Sequence, residues 1–149
     1  MKETKVLICP SKLIHLSEMI HECEVFTPRV PLSAGGNEDT KTKRVCFSNT
    51  ISGAYRAIRE CSWGNVFYVH VPCDGVEDIV RQGKLFKPTK EQVYDVNETG
   101  EYWVKCKVKV WCIGIIKAWV DGHDKVRFRW VEKFGKYKDC VEIITIDDD

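Results

Sequence analysis

Three places in this chain carry side chains whose types and settings suit chemistry. Glu101 follows the turn Asn97-Glu98-Thr99-Gly100 and opens a strand-like run. A carboxylate held at a strand mouth can stabilise developing positive charge or hold a ribose hydroxyl; a solvent-facing glutamate beside a turn is the plainer reading. His15 is flanked on both sides by large aliphatics. Its imidazole offers a donor and an acceptor and titrates near neutrality, which suits a sugar or phosphate contact, although a histidine satisfied in the core accounts for the same setting. Ser48-Asn49-Thr50 ends a strand-like run and precedes a helical one. Hydroxyls and backbone N–H groups at a helix N-terminus favour anions, and ordinary capping explains the same residues.

The elements that must position these residues follow from periodicity. Arg44-Val45-Cys46-Phe47 reads as a short strand that stops at Ser48-Asn49-Thr50. Ile51, Ala54, Tyr55 and Ile58 recur at helical spacing, with Asn49 or Thr50 as N-cap, and Val66 to Val71 is a buried strand closed by Pro72. Before this unit, Lys5 to Cys9 reads as a first strand. Between Lys12 and Ser17 helical and strand signals conflict, and Phe26 to Pro31 must be extended because of its prolines. Ser33 to Lys43 is a polar loop, either a lid or a surface excursion.

After Pro72, Asp74-Gly75 gives a turn, Val76 to Gln82 a short helix stopped by Gly83, and Lys84 to Pro88 an extended run. Val93 to Val96 reads as a strand. Val104, Cys106, Val108 and Val110 alternate with lysines, the pattern of a half-buried sheet. Trp111 to Val120 continues as a core strand with a possible bulge at Gly114. It joins Val126 to Trp130 through the turn Asp121 to Asp124, and Val141 to Ile146 reads as the last strand. The fold class expected is α+β, with two or three short helices and a largely antiparallel C-terminal half.

Composition bounds the function classes. The chain has 149 residues, 44% hydrophobic and 30% charged, which is the make-up of one globular domain over 1–146 with an acidic tail at 147–149. Net charge is +1, and setting aside the three terminal aspartates leaves only a mild basic excess. No run approaches the roughly 18 apolar residues of a membrane span. The eight cysteines form no Cys-x-x-Cys pair, and several sit in apolar runs. They read as reduced, structural thiols of a cytoplasmic protein, with no metal site.

Taken in order, Ile14-His15-Leu16-Ser17, Val45-Cys46-Phe47-Ser48, Ala54, Val66-Phe67-Tyr68-Val69-His70-Val71-Pro72 and Thr99-Gly100-Glu101-Tyr102-Trp103 form a pattern. It resembles the ADP-ribosyltransferase-like superfamily, in its small rifampin-modifying and RNA 2′-phosphotransferase branches. Thr27-Pro28-Arg29-Val30-Pro31 and the layout also resemble small proteins of bacteria and their phages. The resemblance spans roughly residues 12 to 118. It implies two small packed sheets with an NAD-holding cleft and transfer of ADP-ribose to an acceptor, as in a phage or mobile-element effector. It implies His15, Ser48, Asn49 and Arg29 as cofactor-binding residues, with Glu101 and His15 in catalysis. The chain departs from the pattern in having Glu98-x-x-Glu101 where arginine-dependent branches have Glu-x-Glu, and Phe47 or Cys46 where a tyrosine is often found.

A non-catalytic alternative has the same cleft, or a basic face, engaging a nucleotide, RNA or a host protein. On that reading Lys105, Lys107 and Lys109 line one surface with Arg127 and Arg129, and Tyr102, Trp103 and Trp111 stack on bases; the solvated face of a sheet is the simpler account of these lysines.

Overall fold

The alternating and helical runs condense into two antiparallel sheets and four short α-helices among the described residues, an α+β arrangement. A computed structural model describes residues 4–5 (backbone only), 12–31, 39–58, 64–144 and 146. In chain order the elements are β1 (Thr4–Lys5), β2 (His15–Ser17), β3 (Val25–Phe26), β4 (Val45–Ser48), α1 (Ile51–Ile58), β5 (Val66–Pro72) and α2 (Val76–Arg81). There follow β6 (Leu85–Lys87), α3 (Val96–Thr99), β7 (Glu101–Val104), β8 (Val108–Val120), β9 (Val126–Lys133), a 3₁₀ turn (Gly135–Tyr137) and α4 (Lys138–Glu142).

The smaller sheet has the order β1-β6-β7-β4 and the larger β2-β5-β8-β3, with β9 also paired to β8. The compact strand–helix–strand unit of the sequence is present, but its two strands lie in different sheets and α1 carries the chain between them. Helix α1 forms where expected because Ile51 and Ala54 reach the core, and the Thr50 hydroxyl accepts the Gly53 N–H at 2.9 Å as N-cap. The ambiguous segment near residue 15 resolves as strand. β2 gains a partner in β5, with His15 opposite His70 and Leu16 opposite Val69.

Strand β8 ties together two of the three core clusters among the described residues. Its first half buries Val108 and Val110 against Leu13, Val45, Phe47, Leu85 and Val104. Its second half buries Ile113, Ile116 and Ala118 against Ile14, Leu16, Ile51, Phe67, Val69 and Phe128. The two sets lie on opposite faces of the strand, because an extra residue at Ile113 reverses the alternation of side chains between Val110 and Ile116. Pairing to β5 slips between Val69 and His70, which leaves Ile113 without an opposite number, so the expected bulge falls beside Gly114. At Gly114 a Cβ would come within 2.6 Å of the Trp130 ring and of the Glu132 carbonyl, so only glycine fits.

Two strand expectations are corrected. Val93 to Val96 forms turns leading into α3, with Val93 and Val96 buried and Tyr94 65% exposed. Val141 to Ile146 begins in α4 and a turn, with Val141 and Ile144 buried and Ile143 outside. In both, the apolar residues that matter are three apart, which is a helical spacing. The half-buried lysine-rich run also breaks, since Lys105-Cys106-Lys107 is the crossing between β7 in one sheet and β8 in the other. Of the expected first strand, Val6 to Cys9 lies outside the described residues, as do most of the Ser33–Lys43 loop and the acidic tail.

Candidate functional site

His15, Ser48 and Glu101 meet because β4 ends between two neighbours. On one side the Ser48 and Ile14 backbones bond each other, at 2.7 and 2.9 Å, which places the start of β2 against the end of β4. On the other side Ser48 stands directly opposite Glu101 in the β4–β7 register. The three residues line a cavity of about 150 Å³, whose apolar wall is Ile14, Phe47, Ala54 and Ile58. An adjoining cavity of about 430 Å³ shares His15, Pro31 and Cys46 and adds Arg29, His21, Glu24 and Arg44.

Glu101 is 7% exposed, and its Oε2 accepts the indole N–H of Trp103 at 2.5 Å. Trp103 is itself fully buried, with the Arg44 guanidinium over its ring at 4.2 Å. Lys87 sits over Tyr102 at 4.5 Å. Burial lowers its ammonium below the ordinary lysine value, and the nearby charge of Glu101 works the other way.

Arg44, 1% exposed, donates to the Asp39 and Thr42 carbonyls at 2.9 and 2.8 Å. The Asp39 carboxylate, in turn, accepts the Lys41 and Thr42 N–H groups at 2.7 Å. Burial opposes the charge on Asp39, but those bonds and Arg44 outweigh it and hold the carboxyl down at about 2. This network frames one end of the larger cavity. Arg29 lies along it, its backbone bonded to that of Arg44 at 3.0 Å in both directions.

Around His15 the structure assembles three imidazoles. His15 lies 5.8 Å from His70 and 6.5 Å from His21, with Phe26 edge-on at 5.1 Å. His70 is fully buried; its Nε2 accepts the His21 N–H at 3.0 Å, so the proton sits on Nδ1, 3.3 Å from the His15 carbonyl. Desolvation pushes both His15 and His70 down to about 4, and the neighbouring imidazoles add to it; both are neutral at pH 7. A histidine held neutral in the fold binds its proton more readily unfolded, so unfolding is favoured as pH falls from about 6.5 toward 4. We expect the melting temperature to be highest above pH 6.5 and to decline through that window; the histidine part of the loss is complete near pH 4, below which protonation of Asp39 continues the decline. His70→Gln should flatten the decline, as followed by circular dichroism melts.

At Ser48-Asn49-Thr50 several of the groups that could meet an anion are already engaged. The Ser48 N–H is donated to Ile14, the Asn49 N–H to the Gly100 carbonyl at 3.2 Å, and the Thr50 hydroxyl caps α1. Asn49 lines neither cavity. Its side chain lies against Gly100, whose φ of 62° is the left-handed conformation that favours glycine.

The basic surface expected from Lys105, Lys107, Lys109, Arg127 and Arg129 also divides. Lys109 and Arg129 fall on opposite faces of the large sheet: Arg129 pairs with Lys117, whose neighbours Ile116 and Ala118 point into the core that Trp111 and Ile113 share. Trp103 is buried, Tyr102 lies under Lys87, and Trp111 stacks on Tyr137 at 5.1 Å and faces a separate cavity, so the three do not form one stacking surface with these lysines.

Sequence reasoning missed Arg44, Trp103, His21 and His70 as parts of this region. His70 stood in a recognised strand, and only the β2–β5 register sets it opposite His15. It also missed a separate cavity of about 500 Å³ between Leu13, Cys73, Trp111 and Cys140, which no local motif marks. Among the described residues, no group of three or more histidine, cysteine or acidic side chains is arranged to hold a metal ion. No described helix is long and apolar enough to cross a membrane. No family model matches the chain, and neither the curated proteins nor the solved structures offer a match.

Proposed function

We propose that the cleft beside His15 binds NAD and that the protein transfers ADP-ribose from it to an acceptor. The observation that carries this reading is the convergence of His15, Ser48 and Glu101, far apart in the chain, on one cavity. Arg29 lines the space next to it. In this arrangement the smaller cavity takes the nicotinamide ribose and the larger one the phosphates and adenosine. Arg29 supplies the fixed positive charge, and neutral His15 supplies a hydrogen bond between the two.

The reaction breaks the bond between C1′ of the nicotinamide ribose and the pyridinium nitrogen. The electron pair leaves with nicotinamide, which departs uncharged, and the ribosyl carbon takes on oxocarbenium character. The Glu101 carboxylate, oriented by the Trp103 N–H, stabilises that charge and holds a ribose hydroxyl. The acceptor's nucleophile then bonds C1′ and releases its proton. Titration calorimetry with NAD tests the reading. Arg29→Ala should weaken NAD binding by about tenfold to a hundredfold, the loss of a charge-assisted phosphate contact, without lowering the melting temperature by more than a few degrees. Absence of any NAD binding at millimolar concentration in the unaltered protein would end this proposal.

A further inference from the structure

The large sheet is covered on one face only along part of its length. Where β8 pairs with β9, Ile116, Ala118 and Phe128 point into the core, so their neighbours Lys117, Trp119, Arg127 and Arg129 point the other way. At that end Trp119 and Arg129 are exposed and Lys117 and Arg127 half-buried. Trp119 is 39% exposed, an unusual exposure for a tryptophan, and the Arg129 guanidinium lies over its ring at 5.9 Å.

Register puts Lys117 directly opposite Arg129, and Trp119 directly opposite Arg127. Like charges facing each other across two strands oppose folding unless something else neutralises them. Lys117, Trp119 and Arg129 line an open depression of about 350 Å³. The acidic groups nearest in register stand at its margins: Asp121 is engaged by Arg127 at 2.8 Å in the turn, and Glu132 lies beyond the slip in β9 pairing.

We propose that this face is a docking platform for a single-stranded polynucleotide. A base stacks on the open part of the Trp119 ring, and the backbone phosphates on either side are met by Lys117 and Arg129, with Arg127 at the edge. Two cations facing each other beside one accessible indole match the repeat of such a strand, in which every base has a stacking face and every linkage a negative charge. A purely apolar partner would leave Lys117 and Arg129 buried and unpaired, which is costly. The platform is distinct from the His15 cleft, since it shares no lining residue with it.

The test is fluorescence anisotropy with labelled uridine and thymidine 12-mers at low and moderate salt. We expect binding whose affinity falls with salt with a log–log slope of about −1.4, as for two phosphate contacts on a single strand, those of Lys117 and Arg129. The Lys117→Ala/Arg129→Ala pair should reduce that slope, and Trp119→Ala should weaken binding about tenfold or more at every salt concentration. Lys107→Ala/Lys109→Ala should leave it unchanged. All these positions are exposed or half-buried, and melting curves within a few degrees of the unaltered protein check that the variants fold. No binding at about 50 mM salt, or binding indifferent to the Trp119 and Lys117/Arg129 changes, overturns the proposal. So does self-association through this face, detected by sedimentation and abolished by Trp119→Ala, when no oligonucleotide binds.

Discussion

Glu101→Gln is expected to cut the rate of nicotinamide release from NAD by about 10²- to 10³-fold, the usual cost of removing one group that stabilises transition-state charge. The substitution is nearly isosteric. A glutamine carbonyl can still accept the Trp103 N–H that now reaches Oε2 at 2.5 Å, so the strand mouth keeps its geometry. What is lost is the negative charge facing the cavity that His15 and Ser48 share with it. NAD affinity should change far less than the rate, because the charge acts mainly when the ribosyl carbon becomes cationic. Release is read by chromatography of the free nicotinamide over hours. An unaltered rate in Glu101→Gln would remove Glu101 from the chemistry even if NAD binds. A rate lost together with NAD affinity and with melting temperature would make it a structural residue.

Arg44→Leu should cost about 3 kcal/mol of folding stability, lowering the urea midpoint and the melting temperature by about 10 °C. Arg44 is among the largest fully buried side chains, and its surroundings are built for a planar cation. Two carbonyl oxygens, of Asp39 and Thr42, accept from its Nη1, and the Trp103 ring lies 4.2 Å from its centre. Leucine leaves both acceptors without their donor and leaves the Asp39 carboxylate facing apolar surface. Arg44→Lys keeps the charge but neither the fork nor the stacking face, so it should recover well under half of the loss. Because Arg44 lines the larger cavity, the same variants should weaken NAD binding, and addition of NAD should raise their melting temperature less than it raises that of the unaltered protein. A Leu variant as stable as the original would mean that the network around Arg44 adds nothing to the fold.

Where the sequence reading succeeded, one period dominated a whole element. Ile51, Ala54, Tyr55 and Ile58 hold helical spacing over two turns, and Val66 to Val71 is rich in β-branched and aromatic residues and ends at a proline, as a strand does. It failed at Val93–Val96 and Val141–Ile146, where a single helical turn and a short strand show the same apolar cluster. Around Leu13 to Leu16 no local rule could choose, and the choice was made by β5, which offers His15 a partner in His70. The candidate site was legible as residue types. Its companions were not, because Arg44 and Trp103 reach the site only through a stack across neighbouring strands.

The residue order by itself determined an α+β chain, the β4-α1-β5 unit and which side chains were worth suspecting, since these depend on spacing along the backbone. Tertiary structure alone decided that β4 and β5 belong to different sheets and that β8 serves two cores with opposite faces. It alone decided, too, that His15, Ser48 and Glu101 share a cavity. These are matters of strand pairing between distant segments, and a pairing is fixed by the match of two surfaces, which neither segment encodes on its own.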